Sequence, residues 1–142
     1  IIYTDGACSG NPGSGGWAAI IFNKSSGQKS KKTGSEIETT NNRMELIAII
    51  RALESIPKES SLQIFTDSKY VINGIELWIK KWKTNDWIGS NKKKVKNKDL
   101  WMKLDILSSQ FQITWNWVKG HSGNKYNEEV DRLARDQINL LH

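Results

Sequence analysis

Two aspartates in matching settings are the first residues that invite chemistry. Asp5 follows the apolar, β-prone run Ile1-Ile2-Tyr3-Thr4 and opens a stretch dense in glycine, from Gly6 to Gly16. Such a stretch keeps side chains aside, so a bulky ligand can approach the backbone. Asp67 follows a second strand-like run, Leu62-Gln63-Ile64-Phe65-Thr66. Two strands that each end in Thr-Asp predict two carboxylates side by side at the carboxyl edge of a sheet. Open α/β sheets bind ligands at that edge. Carboxylates about 5 Å apart, at an effective dielectric of about 20, repel by roughly 3 kcal/mol. A bound cation would remove that repulsion, but the pair alone does not decide its chemistry, and the rest of the chain is needed. Either aspartate alone is equally well explained as a turn or helix N-cap residue.

The elements that must position them follow from the pattern. With 142 residues the chain has room for one domain, residues 1–142, and one core. Trp17 to Phe22 reads as a well-buried strand, and the Lys-rich alternation from Gln28 to Ser35 as an edge strand. Leu46 to Leu53 carries a strong helix with a wide apolar face, closed by Pro57. After Asp67 a helix begins, Gly74 interrupts it, and Ile75 to Lys83 resumes it. Leu100, Trp101, Leu104 and Leu107 recur at helical spacing, Gln112 to Val118 alternates as a strand, and Val130, Leu133, Ala134, Ile138 and Leu141 mark a last amphipathic helix. This order predicts an α/β fold: a mixed sheet of about five strands with helices on its faces.

Composition narrows the partners. The formal charge is +6 and the pI about 9.4, which suits a polyanion. The single cysteine, Cys8, cannot form an internal disulfide and fits a reducing compartment, the cytoplasm. No apolar run is long enough to cross a bilayer, and no signal-peptide pattern precedes the first strand.

Two further acids have ordinary explanations. Asn42 and Glu45 match a capping box in the first helical turn, and Asp131 stands one turn before Arg135. Around them lie longer motifs: Tyr3-Thr4-Asp5-Gly6-Ala7-Cys8-Ser9-Gly10-Asn11-Pro12-Gly13, Thr40-Asn41-Asn42-Arg43-Met44-Glu45, Thr66-Asp67-Ser68-Lys69-Tyr70-Val71, and Trp117-Val118-Lys119-Gly120-His121-Ser122-Gly123 through Asp131-Arg132-Leu133-Ala134. In order and across essentially the whole chain, these blocks resemble bacterial ribonuclease HI. The resemblance implies a ribonuclease H-like fold, a five-stranded mixed sheet with helices on both faces. It implies a metal-dependent endonuclease that hydrolyses the RNA strand of RNA–DNA hybrids. Asp5, Glu45, Asp67 and Asp131 match the family's metal-binding carboxylates, and His121 matches its catalytic histidine, assigned to proton transfer at product departure.

The chemistry suits that assignment. In-line phosphodiester hydrolysis needs a water nucleophile and a stabilised leaving oxygen, and two divalent ions about 4 Å apart serve both. Hard Mg²⁺ prefers carboxylate and water oxygens, so two Mg²⁺ ions in the substrate complex are expected, with Mn²⁺ as a substitute. Trp78 and Trp82 are spaced i, i+4 beside Lys80, Lys81 and Lys83, a set suited to a sugar–phosphate backbone. The resemblance makes this helix a basic handle over the DNA strand. Asn11, Asn41 and Glu45 match positions that read 2′-hydroxyls on the RNA strand, and Thr40 a phosphate contact on the DNA strand. The expected partner is an RNA–DNA hybrid, met by a monomer without a membrane or an obligate protein partner. A DNA-directed nuclease of the same fold and a catalytically silent hybrid-binding module are the alternatives. The Trp–Lys handle and the asparagines argue against the first, the four carboxylates against the second.

Overall fold

The structure, a computed structural model, describes residues 1–89, 92–120 and 123–141. His121 lies outside the described residues. Five strands form one sheet: β1 (Ile2–Gly10), β2 (Gly13–Phe22), β3 (Lys29–Thr39), β4 (Ser61–Thr66) and β5 (Gln112–Trp117), in the order β3-β2-β1-β4-β5. β1, β2 and β3 run as an antiparallel meander, while β4 and β5 join β1 in parallel. The expected mixed, five-stranded sheet is the one observed.

Strand alternation divides the core between two faces. Ala18 and Ile20 of β2 meet Val130 and Ala134 of α5 (Lys125–Asn139). Their neighbours Trp17 and Ala19 face the other way, toward α1 (Asn41–Glu54). β2 is thus covered on both sides, which is why Trp17 to Phe22 is an unbroken apolar run. β3 is exposed along most of its length. It extends past the expected Ser35 because its pairing with β2 continues, through an irregularity at Gly13 and Gly15, to Thr39.

α1 buries Met44, Leu46, Ile47, Ala48, Ile49, Ile50, Ala52 and Leu53. Its wide apolar face is sandwiched between the sheet and α4 (Lys98–Ser108), which supplies Trp101 and Leu104. Each such large side chain contributes about 1.5–3 kcal/mol when fully buried.

The helix after β4 is interrupted at Gly74, as expected, although the α-helix resumes at Ile79 rather than Ile75. α2 (Lys69–Asn73) passes into a π-helical turn, Gly74–Trp78, and then into α3 (Ile79–Thr84). The indole of Trp101 lies against Gly74, where any Cβ would overlap its ring. The wider turn thus sits where α4 approaches most closely, a common setting for π-turns inserted in helices. Gly74→Ala should therefore destabilise the fold by about 1–3 kcal/mol through overpacking. The loss should shrink in a Trp101→Phe background. Urea denaturation of the two single variants and the double variant measures both. Equal losses in the two backgrounds would mean that the ring contact is not the cause.

Candidate active site

Three acids from three elements meet at one edge of the sheet. Asp5 lies within β1 and is 3% exposed, and Glu45 lies in α1, also 3% exposed. Asp67 is half-buried, one residue beyond β4. One carboxylate oxygen from each lies within 4.8 Å of the others. The convergence has a backbone cause. A Cβ at position 6 would stand 2.5 Å from the Glu45 backbone nitrogen, so only glycine lets α1 approach β1 this closely.

The capping assignments read from the sequence change. The N-cap of α1 is Thr40, whose Oγ1 accepts from the Arg43 N–H at 3.2 Å. Glu45 therefore lies beyond the capping box and the first turn. Ser68, not Asp67, caps α2, its Oγ accepting from the Val71 N–H. Both acids are released from the ordinary roles that would have explained them.

Their electrostatics are severe. Burial first, then the field of Glu45 and a hydrogen bond with it, and then Asp67 and Asp131, hold the Asp5 carboxyl far above the usual carboxylate range. Burial likewise raises Glu45, against the lowering effect of its hydrogen bond with Asp5. The Gly6 N–H donates to Asp5 Oδ1 at 2.9 Å and fixes that side chain. Glu45 Oε2 is buried and has no hydrogen-bond partner among the described residues. An orphaned buried oxygen in an all-oxygen donor set fits a hard divalent cation such as Mg²⁺ or Mn²⁺.

Asp131 reaches the trio from α5 through a side-chain hydrogen bond with Asp5. It lies in the second turn of α5, and Arg135, one turn on, holds its Oδ2 at 2.7 Å, as the spacing predicts. Asn11 and Asn41 are brought together, the Asn41 N–H donating to Asn11 Oδ1 at 3.2 Å. Thr40 sits beside them as the cap. The handle residues lie farther along the chain. Trp78 and Trp82 are half-buried and belong to an aromatic chain with Tyr70, Trp87 and Trp101. Their packing fastens α3 to α4. Lys80 and Lys81 are exposed, whereas Lys83 pairs with Asp105 of α4 at 3.3 Å.

Two supporting contacts escape the sequence. The Trp117 indole N–H donates to the Asp67 carbonyl at 3.1 Å, and the Lys69 ammonium lies 5.1 Å from the centre of that ring. Strand alternation puts Trp117 on an exposed face, but nothing in the sequence names its partners. Arg43 bridges from α1 to Asp99 through both guanidinium nitrogens and to Asn97, whose amide donates to the Tyr70 hydroxyl. That network fixes the start of α1 against α4 and α2.

A family model described as RNase H matches residues 1–139. The chain is 56% identical to a ribonuclease H of Wolbachia pipientis wMel over 138 residues, 97% of this chain and 94% of that protein. Among solved structures, LC9-RNase H1, a type 1 RNase H with the type 2 active-site motif, aligns with a TM-score of 0.84 at 27% identity, over 99% of this chain and 72% of that one. LC11-RNase H1, solved in complex with an RNA/DNA hybrid, aligns at 0.71 and 23% identity, over 99% of this chain and 96% of that one, a likeness of fold.

The raised carboxyls set the pH dependence of the metal-free protein. Asp5 and Glu45 retain protons in the fold at a pH where the unfolded chain has lost them. The fold binds the extra protons from the ordinary carboxylate pKa of about 4 upward, so stability falls as pH rises through that window. Asp5→Asn should flatten the fall and, near neutral pH in chelator, gain about 1 kcal/mol over the wild type. Mg²⁺ should raise the wild-type melting temperature more than the variant's. Thermal melts across pH, in chelator and in Mg²⁺, test this. A variant that melts below the wild type in neutral chelator would make Asp5 a structural residue.

Proposed function

The chain belongs to the ribonuclease H family, and on that premise we propose that Asp5, Glu45, Asp67 and Asp131 hold two divalent ions for its reaction. That reaction is endonucleolytic hydrolysis of the RNA strand of an RNA–DNA hybrid. One observation carries the metal assignment: three converging carboxylates, two of them buried, with the Glu45 Oε2 atom lacking any hydrogen-bond partner among the described residues. The ions are Mg²⁺, with Mn²⁺ as the substitute, on the preference of all-oxygen sites for hard cations. The chemistry such ions supply is a more acidic water and neutralised charge on the scissile phosphate.

The protein's own groups do the rest. Asp5, central to the cluster and fixed by the Gly6 N–H, is the ligand suited to both ions. Asp67 is aimed by the hold of Trp117 on its carbonyl. Asp131 is oriented by Arg135 from the same helix. His121 handles the proton at product departure, a role supported by the family resemblance. The Asn11 carbonyl oxygen already accepts from the Asn41 N–H, which leaves the two side-chain NH₂ groups as donors to 2′-hydroxyls. Thr40 takes a DNA-strand phosphate. Lys80 and Lys81 meet the same strand, with Trp78 and Trp82 beneath them and Lys83 engaged by Asp105. One catalytic unit spans residues 1–142. It acts in the cytoplasm as a monomer without an obligate partner. Among the described residues no helix is long and apolar enough to cross a membrane.

Cleavage assays on hybrid, duplex DNA and duplex RNA, with Mg²⁺ and with chelator, test this reading. Only the hybrid with metal should be cut, and within a DNA duplex a run of ribonucleotides should be cut where a single one is spared. Cleavage of duplex DNA would move the chain to the DNA-directed nucleases. Binding of hybrid without cleavage would make it a silent module.

The handle has its own readout. Replacing Lys80 and Lys81 by Ala should reduce the logarithmic salt slope of hybrid binding by about one to two units, at about 0.9 per phosphate contact. Lys83→Ala should leave the slope nearly unchanged. An unaltered slope in the double variant would reduce the handle to a solvated face.

A further inference from the structure

Asp131 and Asn41 border a groove of about 520 Å³ beside the carboxylate cluster. One bank is β1 from Gly6 onward, where pairing with β4 has ended at Tyr3 and only β2 remains alongside. Gly6, Ala7, Cys8 and Ser9 are small and keep that bank low, so a nucleic-acid strand can lie close to the backbone. The other bank is α5, with Arg132, Arg135, Asp136 and Asn139 all exposed. At helical rise, Arg132 to Asn139 spans about 10 Å.

The charges on this second bank have different partners. Arg135 is taken by Asp131 at 2.7 Å. Arg132 forms no ion pair among the described residues. Its field reaches Glu129, but Lys29 already holds that carboxylate at 3.0 Å. Asp136 lies one turn beyond Arg132, yet the two form no ion pair either. A base four residues before an acid is the less favourable order for a helical pair. The guanidinium next to the fourth carboxylate is therefore left to meet something from outside.

Position decides which strand that could be. α5 packs Val130 and Ala134 on one face of the sheet. The helix of Lys80 and Lys81 is fastened through Ile79 and Trp101 to the core on the other face. A strand lying over those lysines is therefore on the far side of the molecule from Arg132. The groove starts at Asp131 and Gly6, beside the cluster, so the strand it carries is the one that is cut.

Resting on the hybrid-cleaving reading above, we propose that the Arg132 guanidinium binds a phosphate of the RNA strand next to the scissile one and fixes the register of that strand over the carboxylates. A planar guanidinium can donate to two phosphate oxygens at once. Asp136 repels a second phosphate farther along the groove, so the grip is on one.

Fluorescence anisotropy with a short labelled hybrid tests this, in chelator, so that binding is read without cleavage. Arg132→Ala and Arg132→Gln should each weaken binding about tenfold and lower the logarithmic salt slope by about one unit, at about 0.9 per phosphate. Arg132→Lys should keep most of the slope, and all three variants should melt with the wild type. Neutral methylphosphonate linkages, placed one at a time along each strand, locate the contact. One linkage in the RNA strand should weaken the wild type and leave Arg132→Ala unaffected, while every DNA-strand linkage should act alike on both. In cleavage with Mg²⁺, the loss in Arg132→Ala should fall on KM. An unchanged salt slope, or an Arg132 effect that follows a DNA-strand linkage, would overturn the proposal. So would a loss of kcat at unchanged affinity, since Arg132 would then act through Asp131. A wild type that binds hybrid and never cuts it would sink the hydrolytic reading, while the slopes in chelator would still decide whether Arg132 holds a phosphate.

Discussion

The repulsion between Asp5 and Glu45 is the constraint around which the rest is arranged. Two carboxylates in near-complete burial cannot both ionise without a counter-charge. The fold accepts this because it does not build the cluster from flexible parts. Asp5 is held by a central strand with neighbours on both sides. Glu45 is held by a helix whose apolar face is locked between the sheet and α4. Gly6 removes the one side chain that would keep the two elements apart. The core thus fixes the acids close together despite their repulsion, an arrangement that could hold a cation.

The same logic of rigid support extends outward. Asp67 and Asp131 are less buried and are steered by neighbours, Trp117 through a carbonyl and Arg135 through an ion pair. The start of α1, where Thr40 and Asn41 stand, is tied through Arg43 to Asp99 and Asn97, and through Asn97 to Tyr70. Tyr70 also accepts from the Trp101 indole N–H at 2.9 Å. A single aromatic and polar chain therefore links the asparagines near the catalytic edge to the helix that carries Lys80 and Lys81. Their relative placement is set before any substrate arrives.

Much of this was legible in the sequence, and the reasons differ by residue. The apolar runs before Asp5 and Asp67 end in the same dipeptide, a local signal, although β1 continues past Asp5 to Gly10 because its pairing with β2 does. α1 and α5 announce themselves by periodicity. Glu45 and Asp131 were legible as candidate ligands only through family resemblance, since a capping box and an i, i+4 ion pair explain them locally. The structure withdrew the first explanation by capping α1 with Thr40, and kept the second beside the cluster. The interruption at Gly74 was legible from the low helix propensity of glycine, whereas its form, a π-turn packed against Trp101, rests on a long-range contact. Long-range contacts had no signal at all. Arg43 and Asp99 are 56 residues apart, and Trp117 and Asp67 are 50 apart.

The parallel seam between β1 and β4 has a consequence for how the chain assembles. β1, β2 and β3 are joined by hairpins and can zip locally. Ile2 must find Ile64, 62 positions further along the chain, a closure whose entropy is lost before its contacts form. That seam also brings Asp67 to Asp5. A chain that has folded its meander and α1 but not the seam has hydrophobic structure and two of its acids in place, yet lacks the third. Completion of the acidic trio therefore waits on a non-local step of folding.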